Sequence, residues 1–260
     1  MIKFLFKILE LLKLWVYSEN KWFSFDIMIN QNNLSDRETI LHLKKNPQIG
    51  IIRYGNSELG LLIGNSPKTQ KYNKKLKNLL IETFKNYNSF TNNKYLLAVP
   101  LDFSKRQNLP DWYPGKAAKL AMKLLVSKKQ IYGSPFCFRI YDVLDEDIEE
   151  YKKLVESLFL HREIIYVGPM EGKNPDIPNF IVPVEVLKIP EKQAFDKFDD
   201  IVYQIKKICI YYKDPLVVIV GGATASVISY KLNMSNITCY DFGQSLRFYE
   251  KYLKKNNHGL

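Results

Sequence analysis

The chain has 260 residues, 46% hydrophobic and 25% charged, a globular composition long enough to bury a core without disulfide or metal staples. This excludes wholesale disorder, collagen and a polytopic membrane protein. Lys and Arg number 38 against 27 Asp and Glu, a net charge of +11, but the lysines are scattered rather than striped, so the charge points only generally to anionic partners.

Residues 1–17, MIKFLFKILELLKLWVY, place Lys3, Lys7, Glu10 and Lys13 along one side of a helix with Phe4, Leu5, Ile8, Leu9, Leu12 and Trp15 around the rest. The charges interrupt the apolar run too often for a membrane span or a secretory signal. Two readings stay open: a helix lying in the plane of an anionic membrane surface, and a helix docked on the protein itself or a partner subunit. We treat 1–20 as this amphipathic helix and 34–255 as a single domain.

Ser35-Asp36-Arg37-Glu38 has the capping-box pattern and opens a helix over 36–45 that Pro47 stops. Ile49–Arg53 reads as a strand, Tyr54-Gly55-Asn56-Ser57 as a tight turn, and Leu59–Ile63 as the helix after it. An amphipathic helix is predicted over 71–87, a strand over Tyr95–Val99, a loop over 103–115 and a helix over 116–127. Ile131–Ile140 is strand-like with a break at Gly133 and Pro135; 145–160 is helical, with an acidic first turn. Then come a strand (Glu163–Val167), a proline-rich loop (169–180), a strand (Val182–Ile189), a helix (Lys192–Tyr212) and the nearly pure apolar strand Leu216–Val220. Gly221-Gly222-Ala223-Thr224 turns that strand into a helix over 224–233, and Ile237–Tyr240 is the last strand. The alternation predicts an α/β fold, a Rossmann-like parallel sheet flanked by helices.

Cys137, Cys209 and Cys239 are odd in number and lack CxxC spacing, so neither a disulfide framework nor a Cys-type zinc site is expected, and a reducing compartment fits. The three histidines form no HExxH pair, and there is no GxSxG elbow, Walker loop, helix-turn-helix, RNP or zinc-finger pattern. Nucleic acid is therefore not an expected partner.

Open parallel sheets bind ligands at the carboxyl ends of their strands. In Arg53–Glu58, Gly55 lets backbone approach a ligand, and Asn56 and Glu58 are spaced to aim two oxygens at one hard cation. The same residues also suit a plain helix start, with Asn56 or Ser57 as cap and Glu58 in the first turn. Gly221–Thr224 can point free N–H groups at a diphosphate or be an ordinary strand-to-helix turn.

Arg53-Tyr54-Gly55-Asn56-Ser57-Glu58 resembles the Arg-Phe-Gly-Asp-Gly-Glu stretch of GT-D-fold glycosyltransferases, bacterial enzymes that build surface glycans from nucleotide sugars. Further segments resembling that family follow in its order: Tyr72–Leu80, Leu97–Phe103, Phe138–Tyr141, His161–Gly172, Pro190–Tyr203, Gly221–Leu232 and Tyr240–Leu246. The resemblance spans 45–250. It departs from the family at Asn56, where the family has aspartate, at Gly222, where it has proline, and at Gln244, where it often has histidine.

The resemblance implies a cytoplasmic glycosyltransferase, peripheral on the inner face of the cell membrane if the N-terminal helix binds lipid. A UDP-sugar is the expected donor, and a glycan or lipid-linked acceptor the expected acceptor. Glu58 matches the family's acidic motif, so Asn56 and Glu58 are the expected ligands of Mn²⁺ or Mg²⁺. Arg53, Gly55, Asn56, Arg139, Gly221, Gly222 and Thr224 are the expected donor-binding residues. Glu58 and Asp241 are the expected catalytic carboxylates; Asp241, like Asp102 and Glu171, is a candidate general base from its place at a strand end, a role for which the resemblance supplies no match. The alternative is a non-catalytic, sugar-nucleotide-binding or scaffolding relative.

Overall fold

The computed structural model describes residues 33–89, 94–100, 122, 125–127, 129–140, 147–169, 177–243 and 245. The N-terminal helix, the loop 103–115, most of the helix 116–127, and Asp102, Glu171 and Gln244 lie outside the described residues.

Six strands form one parallel sheet: β1 (Gly50–Arg53), β2 (Tyr95–Ala98), β3 (Glu163–Gly168), β4 (Pro183–Lys188), β5 (Pro215–Ile219) and β6 (Cys239–Asp241), in the order β2-β1-β6-β5-β3-β4. The described helices are α1 (Asp36–Lys45), α2 (Asn56–Leu62), α3 (Lys74–Asn88), α4 (Ile148–Glu156), α5 (Phe198–Cys209) and α6 (Ala223–Met234). The expected parallel α/β architecture is what is found, and β5, read from its unbroken apolar run, is an interior strand.

β6 shows how the layers are arranged, because side chains alternate between the two faces of a strand. Cys239 and Asp241 meet Ser229 and Ser226 of α6. Tyr240, between them, packs on Phe138 and Phe159 instead. α6 covers β1 and β6 on its face, with α2, α3 and α5 packed against it. α6 is buried nearly all round, and its small polar residues Ser226, Ser229 and Asn233 recur at spacings of three and four on the side turned to the sheet. Asn233 does a strand's work there: its Oδ1 accepts the Cys239 N–H at 2.9 Å and its Nδ2 donates to the Cys239 carbonyl at 3.2 Å.

The helix starts follow their sequence signals. Ser35 and Glu38 form the complete capping box of α1, the Glu38 N–H reaching Ser35 Oγ at 3.2 Å and the Ser35 N–H reaching Glu38 Oε2 at 2.8 Å. Asn73 and Asp147 cap α3 and α4. Two expectations need correction. Ile131–Ile140 is not a strand: Tyr132 and Gly133 make single bridges to Asn33 and Ala98, and Pro135 turns the chain away. The helix expected over Lys192–Tyr212 starts late, because Gln193 takes a left-handed φ of 55° and a 3₁₀ turn, Ala194–Lys197, precedes α5.

Candidate active site

The sheet parts at its carboxyl edge between β1 and β6. β1 stays paired with β2 to Arg53↔Ala98, and the next N–H, of Tyr54, reaches the Ala98 carbonyl at 2.9 Å. β6 stays paired with β5 to Ile219↔Asp241, and the Phe242 N–H reaches the Ile219 carbonyl at 2.9 Å. Between β1 and β6 the register holds Ile51↔Tyr240 alone. Beyond it, side chains take over the main-chain groups of Arg53: its N–H donates to Asp241 Oδ2 at 3.3 Å and its carbonyl accepts the Ser226 hydroxyl at 3.0 Å. Such a parting of neighbouring strands is where open α/β sheets hold ligands.

The Arg53 guanidinium lies in this crevice, 8% exposed. Its Nε donates to the Pro135 carbonyl at 2.6 Å and its Nη1 to the Phe242 carbonyl. Gly243, at φ 51°, gives it room: a Cβ there would stand 2.4 Å from Nη1. Among the described residues no other hydrogen bond is made by this guanidinium, which leaves N–H donors for an anion.

Asp241 is buried beside it with both oxygens engaged. Oδ2 accepts from the Arg53 N–H and, at 2.9 Å, from Ser226 Oγ; Oδ1 accepts the Gly243 N–H at 3.0 Å. Burial pushes its carboxyl above the usual range, opposed by the Arg53 charge, the Ser226 hydroxyl and the two N–H groups. Three donors thus hold this carboxylate in place. It ties together the ends of β1 and β6.

Glu58, 6% exposed in the first turn of α2, turns back so that Oε2 accepts the Gly55 N–H at 2.7 Å. It thus caps α2, half of a capping box to which Gly55 has no side chain to reply. Burial, and next the Asp241 charge, push its pKa up to about 7, against the N–H groups of Glu58 and Gly55 and the Arg53 charge. The two carboxylates and Arg53 are therefore one electrostatic unit, with environments that separate them: Asp241 has three donors and Glu58 one strong one. Asn56 is exposed on the first turn of α2, and the cap position belongs to Gly55 rather than to Asn56 or Ser57.

One strand over, β5 runs into Gly221, Gly222 and the amino end of α6. Gly222 has φ 56°, and a Cβ on it would lie 3.2 Å from Thr69 Oγ1. Thr224 is buried, its hydroxyl donating to Gln70 Oε1 at 3.3 Å; Gln70 Nε2 in turn reaches Gln193 Oε1 at 3.0 Å. Loops from three parts of the chain are thereby joined over this helix end. Arg139 lies in the turn that follows Pro135, its guanidinium 4.7 Å from the centre of the Phe136 ring.

The structure thus brings Arg53, Gly55, Glu58 and Asp241 together, with Gly221, Gly222 and Thr224 on the adjoining strand end. Sequence reasoning missed Ser226, Gly243, Pro135, Gln70 and Gln193. A signal existed for the first: serines and an asparagine at Ser226, Ser229 and Asn233 in an otherwise apolar helix mark a polar stripe that needs buried partners.

Comparison with known proteins agrees with this geometry. The family model described as glycosyltransferase GT-D fold matches residues 51–259. A selenomethionine-substituted structure of domain of unknown function 1792 is similar over 89% of this chain and 86% of its own, with 22% identity and a TM-score of 0.73. A second structure of domain of unknown function 1792, reported to have a distinct glycosyltransferase fold, is similar over 87% of this chain and 83% of its own, also at 22% identity and TM-score 0.73. A third, a glycosyltransferase from Streptococcus sanguinis, is similar over 86% and 85% at 17% identity and TM-score 0.73. A search of curated proteins gives no significant match. Because the family model matches residues 51–259, most of this chain, the chain belongs to the GT-D-fold glycosyltransferase family.

Proposed function

We propose that this protein transfers a sugar from a nucleotide-sugar donor, a UDP-sugar by our reading, to a glycan or lipid-linked acceptor in bacterial surface-glycan synthesis. The observation that carries the proposal is the crevice between β1 and β6, where a buried guanidinium with spare donors sits beside two buried carboxylates in a GT-D fold. In the reaction the bond from sugar C1 to the diphosphate oxygen breaks, the bond from C1 to the acceptor oxygen forms, and the acceptor hydroxyl proton passes to a general base or to the departing diphosphate. Charge grows on the diphosphate as it departs, and Arg53 and the amino end of α6 are donors suited to meet it.

A divalent cation is an expectation that the donor set supports in part. Among the described residues no group of three or more His, Cys, Asp or Glu forms a cage. Glu58 keeps one oxygen outside its bond to Gly55, and Asn56, two residues earlier in the same helix, presents an exposed amide. Mg²⁺ and Mn²⁺ sites of this kind share the ion with substrate phosphates and need few protein ligands. Glu58 and Asn56 would hold the ion, which would supply charge neutralisation to the leaving diphosphate.

The test is thermal stabilisation by UDP and a panel of UDP-hexoses, with and without Mn²⁺, followed by hydrolysis of those that bind. A ligand at 100 times its Kd stabilises the native state by about 2.7 kcal/mol. Stabilisation with turnover is expected; no response to any nucleotide sugar overturns the proposal. A binding protein without turnover is the second reading, favoured by an amide at Asn56, and it predicts stabilisation without hydrolysis.

A further inference from the structure

We infer that Ser226 is a positioning residue of this site, acting through Arg53 and Asp241. The inference rests on the proposed transferase reading, with the crevice as the donor site. Ser226 is fully buried, and its single hydroxyl proton faces two acceptors, Asp241 Oδ2 at 2.9 Å and the Arg53 carbonyl at 3.0 Å. These belong to the ends of the two strands that part at the crevice. The main-chain register between β1 and β6 is limited to Ile51↔Tyr240, so at Arg53 the ladder no longer holds the strands. Ser226 and Asp241 replace it. Ser226 thus couples α6, the end of β1 and the end of β6 at one atom, directly below the residue whose side chain faces the ligand.

The consequence follows from where the charge develops. Arg53 is anchored at its side chain by the Pro135 and Phe242 carbonyls and at its backbone by Asp241 and Ser226. Without the hydroxyl, the Arg53 carbonyl loses its side-chain donor, and the end of β1 is left tied to β6 by the Arg53 bonds to Asp241 and Phe242, which permit a small shift. A guanidinium displaced by a fraction of an ångström still attracts the ground-state diphosphate but meets the growing charge of the transition state poorly, and displacements of about 1 Å cost on the order of 10²-fold. Loss of positioning therefore appears in kcat rather than in KM.

The experiment compares Ser226→Ala, Ser226→Thr and Ser226→Cys with the wild type, using the UDP-hexose that the wild-type protein hydrolyses fastest and recording thermal midpoints for each. The expected result is a fall in kcat of about 10- to 100-fold in Ser226→Ala with donor KM within about 3-fold, and recovery of most of kcat in Ser226→Thr, which keeps the hydroxyl. Thr adds a methyl to a full site; if that variant does not fold, Ser226→Cys decides, since a thiol of similar size donates weakly and should give an intermediate kcat. Wild-type kcat in Ser226→Ala overturns the inference, as does a folded Thr or Cys variant no better than Ala. A wild-type protein that binds UDP-hexoses but turns over none sinks the transferase reading itself, and with it the inference; that control separates the two failures.

Discussion

Glu58 caps α2 and, under the proposed transferase reading, would also stand near the donor diphosphate. Its carboxyl, with an ordinary pKa of 4.5, is pushed up to about 7 by burial first and then by Asp241. Between those values the folded state holds a proton that the unfolded state has lost, so stability falls as pH rises from about 4.5 through about 7. The full shift corresponds to about 3 kcal/mol. Glu58→Gln keeps an acceptor for the Gly55 N–H and removes the charge. In urea unfolding with EDTA, the variant should gain on the wild type between pH 5 and pH 8, and an equal difference at the two pH values would contradict the burial argument. In the transferase assay the same variant should lose about 10²-fold or more in turnover, roughly 2.7 kcal/mol of barrier. Gly243 is the second residue on which the site hangs. Gly243→Ala forces a left-handed φ on a side-chain-bearing residue and drives a methyl into Arg53, so we expect a loss of about 2 kcal/mol or more together with activity. A folded, fully active Gly243→Ala would show that Arg53 is free to move without consequence. At this scale the sequence announced Arg53, Gly55 and Glu58, because they are neighbours in one turn. For Ser226 it offered the polar stripe of α6 but not the partners, since Asp241 and Arg53 lie 15 and 173 positions away.

Elements were legible where local and long-range forces agree. The apolar β-rich runs became strands because parallel strands covered on both faces need no alternation. The S-x-x-E and Asn or Asp starts became caps because their bonds close within three residues. Ile131–Ile140 misled for the opposite reason: its β-rich composition is overruled by Pro135, whose carbonyl is needed to hold Arg53. The start of α5 was misplaced because Gln193 is held left-handed by partners distant in sequence, its N–H reaching the Thr69 carbonyl at 2.8 Å and its Oε1 accepting the Lys71 N–H at 3.1 Å. The seam between α6 and the sheet gives an element-scale prediction. A Cβ at Gly50 would fall 2.0 Å from Asn233 Oδ1, which is fixed by its bonds to Cys239. Neither β1 nor α6 can give way without breaking those bonds. Gly50→Ala should therefore cost about 1–3 kcal/mol, read as a lower denaturant midpoint with an unchanged m-value. A midpoint equal to the wild type would mean that the seam is loosely packed.

For the molecule as a whole, the fold class and the edge of the sheet that holds the site followed from strand alternation and glycine turns, whereas the strand order needed the structure. The N-terminal segment, by contrast, rests on sequence alone, because residues 1–32 lie outside the described residues. The described chain enters beside the β2 edge, where Asn33 bridges Tyr132 and the Leu34 N–H reaches the Tyr132 carbonyl at 2.9 Å. The fifteen residues from Ser18 to Asn32 can span roughly 50 Å when extended. An anchor formed by residues 1–17 would thus let the carboxyl edge of the sheet reach a lipid-linked acceptor. The lysines Lys3, Lys7 and Lys13 would contribute about 1 kcal/mol each at an anionic surface, with Glu10 offsetting part, and each large apolar side chain buried in lipid about 1.5–3 kcal/mol. We expect full-length protein to float with vesicles containing anionic lipid and less with neutral ones, and a chain starting at Ser18 to remain folded at the bottom of the gradient. If the full-length protein also stays at the bottom, or if the shortened chain unfolds or changes its oligomeric state, the segment is a packing element and the acceptor must arrive without it.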